Sequence, residues 1–187
     1  MISIDCHSSI RIEGKDAVIY VDPFHIAEEK HDADLVLTTH DHFDHLSPED
    51  IEKVKNDNTT VKQLKPGETL EVKGVKIKAY PAYNEKKQFH PKENNWVGYM
   101  LMVDGNNIYV TGDSDAQIKL DEPVDILCIP VGGTYTFDAE EAAAYTNMLM
   151  PKTAIPTHYG EIVGEKNSGE KFRELVDDRI QVEIKIK

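Results

Sequence analysis

Short apolar runs, several alternating with period two, dominate the first part of the chain. "ISIDC" (2–6), "SIRIEG" (9–14) and "AVIYVD" (17–22) are rich in β-branched residues and separated by brief turns, which predicts a strand meander. "GKD" at 14–16 supplies the hairpin turn between the second and third runs. "ADLVLTT" (33–39) is almost continuously apolar, the pattern of a strand buried on both faces. The period then changes. "SPEDIEKVKND" (47–57) reads as a helix, with Ser47 at the N-cap, Pro48 at the first helical position and acids in the first turn.

Strand patterning returns in "TVKQL" (60–64), "TLEV" (69–72) and "VKIKAYPAY" (75–83), with "KPGE" and "KG" as turns. The polar stretch 84–95 has no period and reads as a loop. "WVGYMLMV" and "NIYVTGD" flank "DGNN", a hairpin signal, and leave room for a short helix before the buried strand "VDILCIPV" (124–131). "DAEEAAAYTNML" (138–149) is the clearest helix, opened by Asp138. "TAIPTHYG" is a strand with His158 at its end, and 169–178 and 179–186 close the chain as helix and strand. Strands followed by helix occur twice. The expected architecture is therefore α/β: two mixed sheets face to face with helices outside, and the chemistry at strand ends along one edge.

Composition narrows the class. The 187 residues suit one domain, 1–187, and a balance of 40% hydrophobic to 29% charged residues is that of a globular protein. No apolar run approaches the roughly 18 residues of a membrane span, and the start lacks a basic flank before an apolar stretch, so a cytoplasmic location is the expectation. Cys6 and Cys128 stand far apart and give no disulfide framework; Cys128, in "DILCIP", reads as a small core residue. A net charge of −13 opposes broad attraction to nucleic acid. The expected partner is a small molecule, with a nucleic-acid substrate as the lesser alternative, no membrane, and a homo-oligomer compatible with everything above.

The candidate chemistry is concentrated in "HDHFDH", residues 40–45. His40 and His42 are two apart, so an extended backbone puts both on one face, while Asp44 and His45 follow as the chain turns toward the helix. Asp41 points away from that face. Imidazole nitrogen and carboxylate oxygen suit Zn²⁺, Fe or Mn, and two donor groups offset along a turn could face two adjacent cations. No G-x-S-x-G elbow offers a serine nucleophile instead.

"THDHFDH" matches the HxHxDH signature, and the chain resembles the metallo-β-lactamase fold superfamily of αββα hydrolases. "YVDPF" puts Asp22, "VTGDSD" puts Asp113 and "IPTHYG" puts His158 at the family's early aspartate, bridging carboxylate and last histidine ligand. "CHSSIRIE", "YPAYNEKKQFHPKENNWVGYML" and "PVGGTYTFDAEEAA" are similar to the ascorbate-6-phosphate lactonase-like branch. The resemblance implies a compact four-layered αββα sandwich carrying one or two divalent cations, zinc first, with Mn, Fe or Ni compatible. The implied ligands are His40, His42, Asp44, His45, Asp113 and His158. The family's further histidine has one candidate here, His90, against the reading that Asn84 takes the strand-end place and His90 meets substrate. Asp44 and His7 are the catalytic candidates, His7 as ligand, water-orienting group or acid/base. Asp22, Asn84, Tyr135 and Tyr159 are expected to support the ligands or contact substrate. His25 and His31 read as solvated.

The implied reaction is hydrolysis by a metal-activated hydroxide of a small anionic lactone, ester or phosphorylated sugar, with Lys86, Lys87 and Lys92 at the mouth drawing the anion in. A phosphodiesterase or nuclease and a non-catalytic metal-binding protein are the rival readings.

Overall fold

Ile10 and Ile12 are buried while Arg11 is half-buried and Glu13 exposed, so the period of two in the sequence is the period of a strand with one face in the core. In the computed structural model, which describes residues 1–186, β1 (Ile2–Ile4), β2 (Ile10–Glu13) and β3 (Val18–Val21) form the expected antiparallel meander. β4 (Ala33–Leu37) adds in parallel to β3, and β5 (Lys55–Lys62) closes the sheet in parallel to β4. Leu35, Val36 and Leu37 are wholly buried, as a strand covered on both faces requires.

The helix after β4 is shorter than the sequence suggests. α1 spans Pro48–Val54, with the Ser47 hydroxyl accepting the Asp50 N–H, and residues 55–57 belong to β5 instead. β5 is a polar edge strand with one neighbour, so it needs no apolar face; the Asn56 amide and Thr59 hydroxyl bond the Ala33 carbonyl across a register shift.

The second sheet runs β6 (Thr69–Val72), β7 (Val75–Pro81), β8 (Val97–Val103) and β9 (Asn106–Val110) as an antiparallel ladder. It continues in parallel through β10 (Ile126–Pro130), β11 (Thr153–Thr157) and the short β12 (Gln181–Val182). α2 (Ala139–Leu149) links β10 to β11, and α3 (Ser168–Leu175) links β11 to β12. Asp138 and Glu141 form a reciprocal capping box on α2. No helix forms between β9 and β10, where the sequence left room for one. The final strand is two residues long rather than eight.

Three apolar clusters define the layers. One joins the inner faces of both sheets, with Ile12, Ile19 and Leu37 meeting Tyr99, Leu101 and Ile155. A second packs α2 and α3 on the outer face of the seven-stranded sheet, where Ala142 and Ala143 let the helix approach Leu127 and Ile129. The third seats Ile51 and Val54 of α1 on Tyr20 and Val36. Helix, sheet, sheet and helix follow in order, so the fold is the expected αββα sandwich. Among the described residues no helix is long and apolar enough to cross a membrane.

Candidate metal centre

Strands of both sheets deliver the candidate residues to one edge. Asp22 follows β3, His40 to His45 follow β4, Asp113 follows β9 and His158 follows β11. Four of the site residues leave their elements in the left-handed backbone region: His7 (φ 51°), Asp22 (φ 51°), His90 (φ 59°) and His158 (φ 58°). Non-glycine residues hold that conformation only where the surroundings impose it, and such strain gathers at functional sites. Gly112 (φ +65°) makes the turn into Asp113, where a Cβ would lie 2.6 Å from the Val97 carbonyl oxygen. The His158 N–H donates to the His7 carbonyl (3.0 Å), which fixes these two loops to each other.

Two donor groups result, with Asp113 between them. His40 Nε2 and His42 Nδ1 are 3.0 Å apart, and with His90 they form a trio whose donor atoms lie within 4.8 Å of one another. His7, Asp44, His45 and His158 form a second group of the same compactness. Asp113 reaches both: Oδ2 is 3.0 Å from His158 Nε2, 3.3 Å from His90 Nε2 and 3.9 Å from His40 Nε2, and Oδ1 is 3.4 Å from His45 Nε2. Asp44 Oδ2 lies 3.3 Å from His7 Nε2 and 3.8 Å from both His45 and His158. Asn84 does not replace His90. It stands behind it, with its amide nitrogen 3.3 Å from His90 Nδ1 and 2.7 Å from the Tyr135 carbonyl oxygen.

Hydrogen bonds outside the trio set which ring nitrogen faces inward. Asp22 accepts the Thr39 N–H and the Thr39 hydroxyl proton, both at 2.7 Å. That hydroxyl has no second proton, so toward His40 Nδ1 (2.9 Å) it acts as acceptor, and His40 keeps its Nε2 lone pair for the interior. Asp22 likewise accepts from His45 Nδ1 (2.7 Å), turning Nε2 toward Asp113. Thr39 was not singled out in the sequence, although it directly precedes the histidine cluster.

The electrostatics favour neutral His7, His40 and His42 beside two anionic carboxylates, Asp44 and Asp113. Burial holds His7 and His42 below the usual imidazole range and His40 well below it, with the neighbouring histidines adding to the effect. Burial would also lower His45, but Asp113 and Asp22 at its two nitrogens raise it well above that range. Burial opposes ionisation of Asp113, yet His158 and His45 hold it well below the ordinary carboxylate range.

These residues fit a cation. Among the described residues, six buried ring nitrogens, both of His7 and His158 and Nε2 of His45 and His90, have no hydrogen-bond partner, and each such atom costs about 1–3 kcal/mol if left unmatched. The nitrogen and carboxylate donors suit a divalent transition metal.

A cavity of about 330 Å³ opens over this floor, lined by His42, Asp44, His90, Asp113 and His158 below and by Phe43, Phe89, Tyr135, Ile162 and Val163 above. Several expected residues lie elsewhere. Tyr159 is buried in the α2–α3 cluster against Gly169 rather than in the cavity. Lys86 and Lys87 pair with Glu141 (2.8 and 2.6 Å), and Lys92 sits over the Tyr83 ring (4.7 Å), so none lines the mouth. Asp115, beside the site, accepts backbone N–H groups of 85–87 and steadies that loop. His25 and His31 are exposed as expected. Trp96 packs on His40, His42 and His90 at ring distances of 4.8, 4.7 and 5.4 Å, a contact that no periodicity signals.

The model of the beta-lactamase superfamily domain matches residues 2–158. A UPF0173 metal-dependent hydrolase of Pyrococcus abyssi (strain GE5 / Orsay) is 29% identical, over 95% of this chain and 92% of its own length. One from Thermoplasma volcanium is 30% identical, over 90% and 87%. A solved structure from Parabacteroides distasonis, whose name assigns it as a metal-dependent hydrolase, superimposes with a TM-score of 0.84 at 31% identity, covering 100% of this chain and 93% of that one.

Proposed function

Because the chain belongs to the beta-lactamase superfamily domain family and is a metal-dependent hydrolase, we propose that His40, His42 and His90 hold one divalent cation and Asp44, His45 and His158 a second, with Asp113 between them. We take 1–187 as one metallo-β-lactamase-like domain, acting in the cytoplasm, with zinc as the first choice of metal. The buried Nε2 atoms of His7, His45, His90 and His158 carry this reading: among the described residues they have no hydrogen-bond partner, and each faces Asp44 or Asp113 at 3.0–3.4 Å.

The bound cations would supply a water of lowered pKa and polarise the group under attack. The chain's own residues do the rest. Asp22 and Thr39 fix the orientation of His40 and His45, as outer partners of metal-ligating histidines do. Asp44, at the cavity floor and 3.3 Å from His7, is placed to accept a proton from the attacking water. His7, neutral by burial, is placed to take up that proton from Asp44 or to return it to the leaving group.

The finer placement, in the ascorbate-6-phosphate lactonase-like branch, rests on the stretches quoted from the sequence. An ester or lactone is favoured over a phosphodiester, because among the described residues no lysine or arginine lines the cavity to receive a phosphate chain. The same finding removes the support that Lys86, Lys87 and Lys92 gave to an anionic substrate.

Metal content per chain tests the proposal. Two metals in the parent and one in His90→Ala are expected, together with hydrolysis of simple esters or lactones that ends on chelation. No metal after reconstitution would overturn it.

A further inference from the structure

The two exposed phenylalanines of this chain stand in one place. Phe24, Phe137 and Phe172 are buried, whereas Phe43 and Phe89 are 69% and 49% exposed, and both line the cavity over the histidine–aspartate floor. Ile162, 42% exposed, lines the same mouth with Val163 and Tyr135. The rings are positioned rather than loose: Phe89 meets Tyr135 edge-on at 4.7 Å, and Phe43 meets Phe24 at 6.0 Å. Phe43 lies between His42 and Asp44, so the turn that builds the floor also raises a wall. Exposed apolar side chains cost solubility, and their gathering at one concavity marks a binding surface. Among the described residues no lysine or arginine offsets this apolar rim.

We infer that the substrate is an uncharged carboxylic ester whose acyl group is aromatic or branched aliphatic, with its carbonyl over His42, Asp44, Asp113 and His158 and its apolar part between Phe43, Phe89 and Ile162. This inference rests on the hydrolase reading above. In the reaction the water oxygen bonds the acyl carbon, the acyl C–O bond to the alcohol breaks, and the water's protons end on the alcohol and, as released acid, in solution. A volume of about 330 Å³ is at the small end of ligand pockets, so the acyl group is of the size of one ring or a short branched chain.

Three methyl esters with one leaving group test this on metal-loaded protein: methyl phenylacetate, methyl acetate and monomethyl succinate, each followed by acid release at constant pH. The expected order is methyl phenylacetate at least about tenfold above methyl acetate in kcat/KM, with the anionic succinate lowest. Phe43→Ala and Phe89→Ala, at exposed positions that the fold does not need, each shrink the phenylacetate-to-acetate ratio several-fold. Met102→Ala, on the exposed side of β8 and outside the cavity, leaves the ratio where it was. A ratio near one that neither phenylalanine variant moves, or a preference for the succinate, overturns the inference. If none of the esters is cleaved, the hydrolase reading has failed for esters, and calorimetry with the unreactive amides decides the mouth separately. Tighter binding of phenylacetamide than acetamide, lost in Phe89→Ala, upholds an apolar acyl site; equal binding overturns it.

Discussion

His45 Nδ1 stands 2.7 Å from the Asp22 carboxylate, deep below the cavity floor, and the same carboxylate holds the backbone and side chain of Thr39. One buried aspartate thus aligns two of the histidines that face Asp113.

Asp22→Asn keeps the shape but disturbs that alignment. It is expected to weaken metal binding about 10–100-fold while leaving the secondary structure intact. Asp22→Ala leaves three donors unmatched in a dry site and is expected to cost at least about 3 kcal/mol of stability as well. Metal titration and denaturant unfolding of the two variants separate the effects.

Trp96, the one tryptophan of the chain, touches the His40, His42 and His90 trio and not His158. Its emission is therefore expected to report filling of that trio alone. With Co²⁺, the His158→Ala variant still quenches Trp96 with one equivalent, whereas His42→Ala loses the quench. Equal loss in both variants would contradict two separable positions.

Gly112→Ala places a Cβ against the Val97 carbonyl in a left-handed turn. The backbone conformation alone costs about 1–2 kcal/mol, and relief of the clash moves Asp113. Lower thermal stability and weaker metal binding are expected together, read by melting curves with and without metal.

Glu141 caps α2 and takes Lys86 and Lys87. Burial opposes its charge, but the two lysines and the Asp138 N–H bring its pKa down to about 2. A lowered carboxylate stabilises the fold above its unfolded value, near 4.3, and the contribution disappears as pH falls toward about 2. Because Lys86 is largely exposed, the contribution is roughly 1–2 kcal/mol. Glu141→Gln is expected to flatten the acid limb of unfolding between those pH values and to leave the curve above pH 6 parallel to the parent's.

Local patterns revealed much of this fold because local physics decides it. β2 announces itself by alternation, β4 by unbroken apolarity, and α2 by the capping box around Asp138. His40 to His45 stand out since donors crowd one turn, while Asp113 and His158 were found through resemblance and prove to share the cavity. What stayed hidden depends on distant partners. Residues 55–57 are strand only because β4 offers an edge, and Asp115 steadies a loop thirty residues away. Lys86 and Lys87 looked free until α2 brought Glu141 within reach, and Tyr159 turned into the core because α3 packs over it. Phe43 and Phe89 gave no signal as a pair, since only folding puts residues 43 and 89 on one rim.

The inward donors are drawn from both halves of the sandwich: His40, His42, Asp44 and His45 from the five-stranded sheet, His90, Asp113 and His158 from the loops of the seven-stranded one. A filled centre would therefore be a clasp across the seam as well as a reactive floor. Stripping it would leave each sheet's ladder of hydrogen bonds whole and loosen the adhesion between them, so amide exchange should quicken first at the ends of β3, β4, β9 and β11, well before the protein melts.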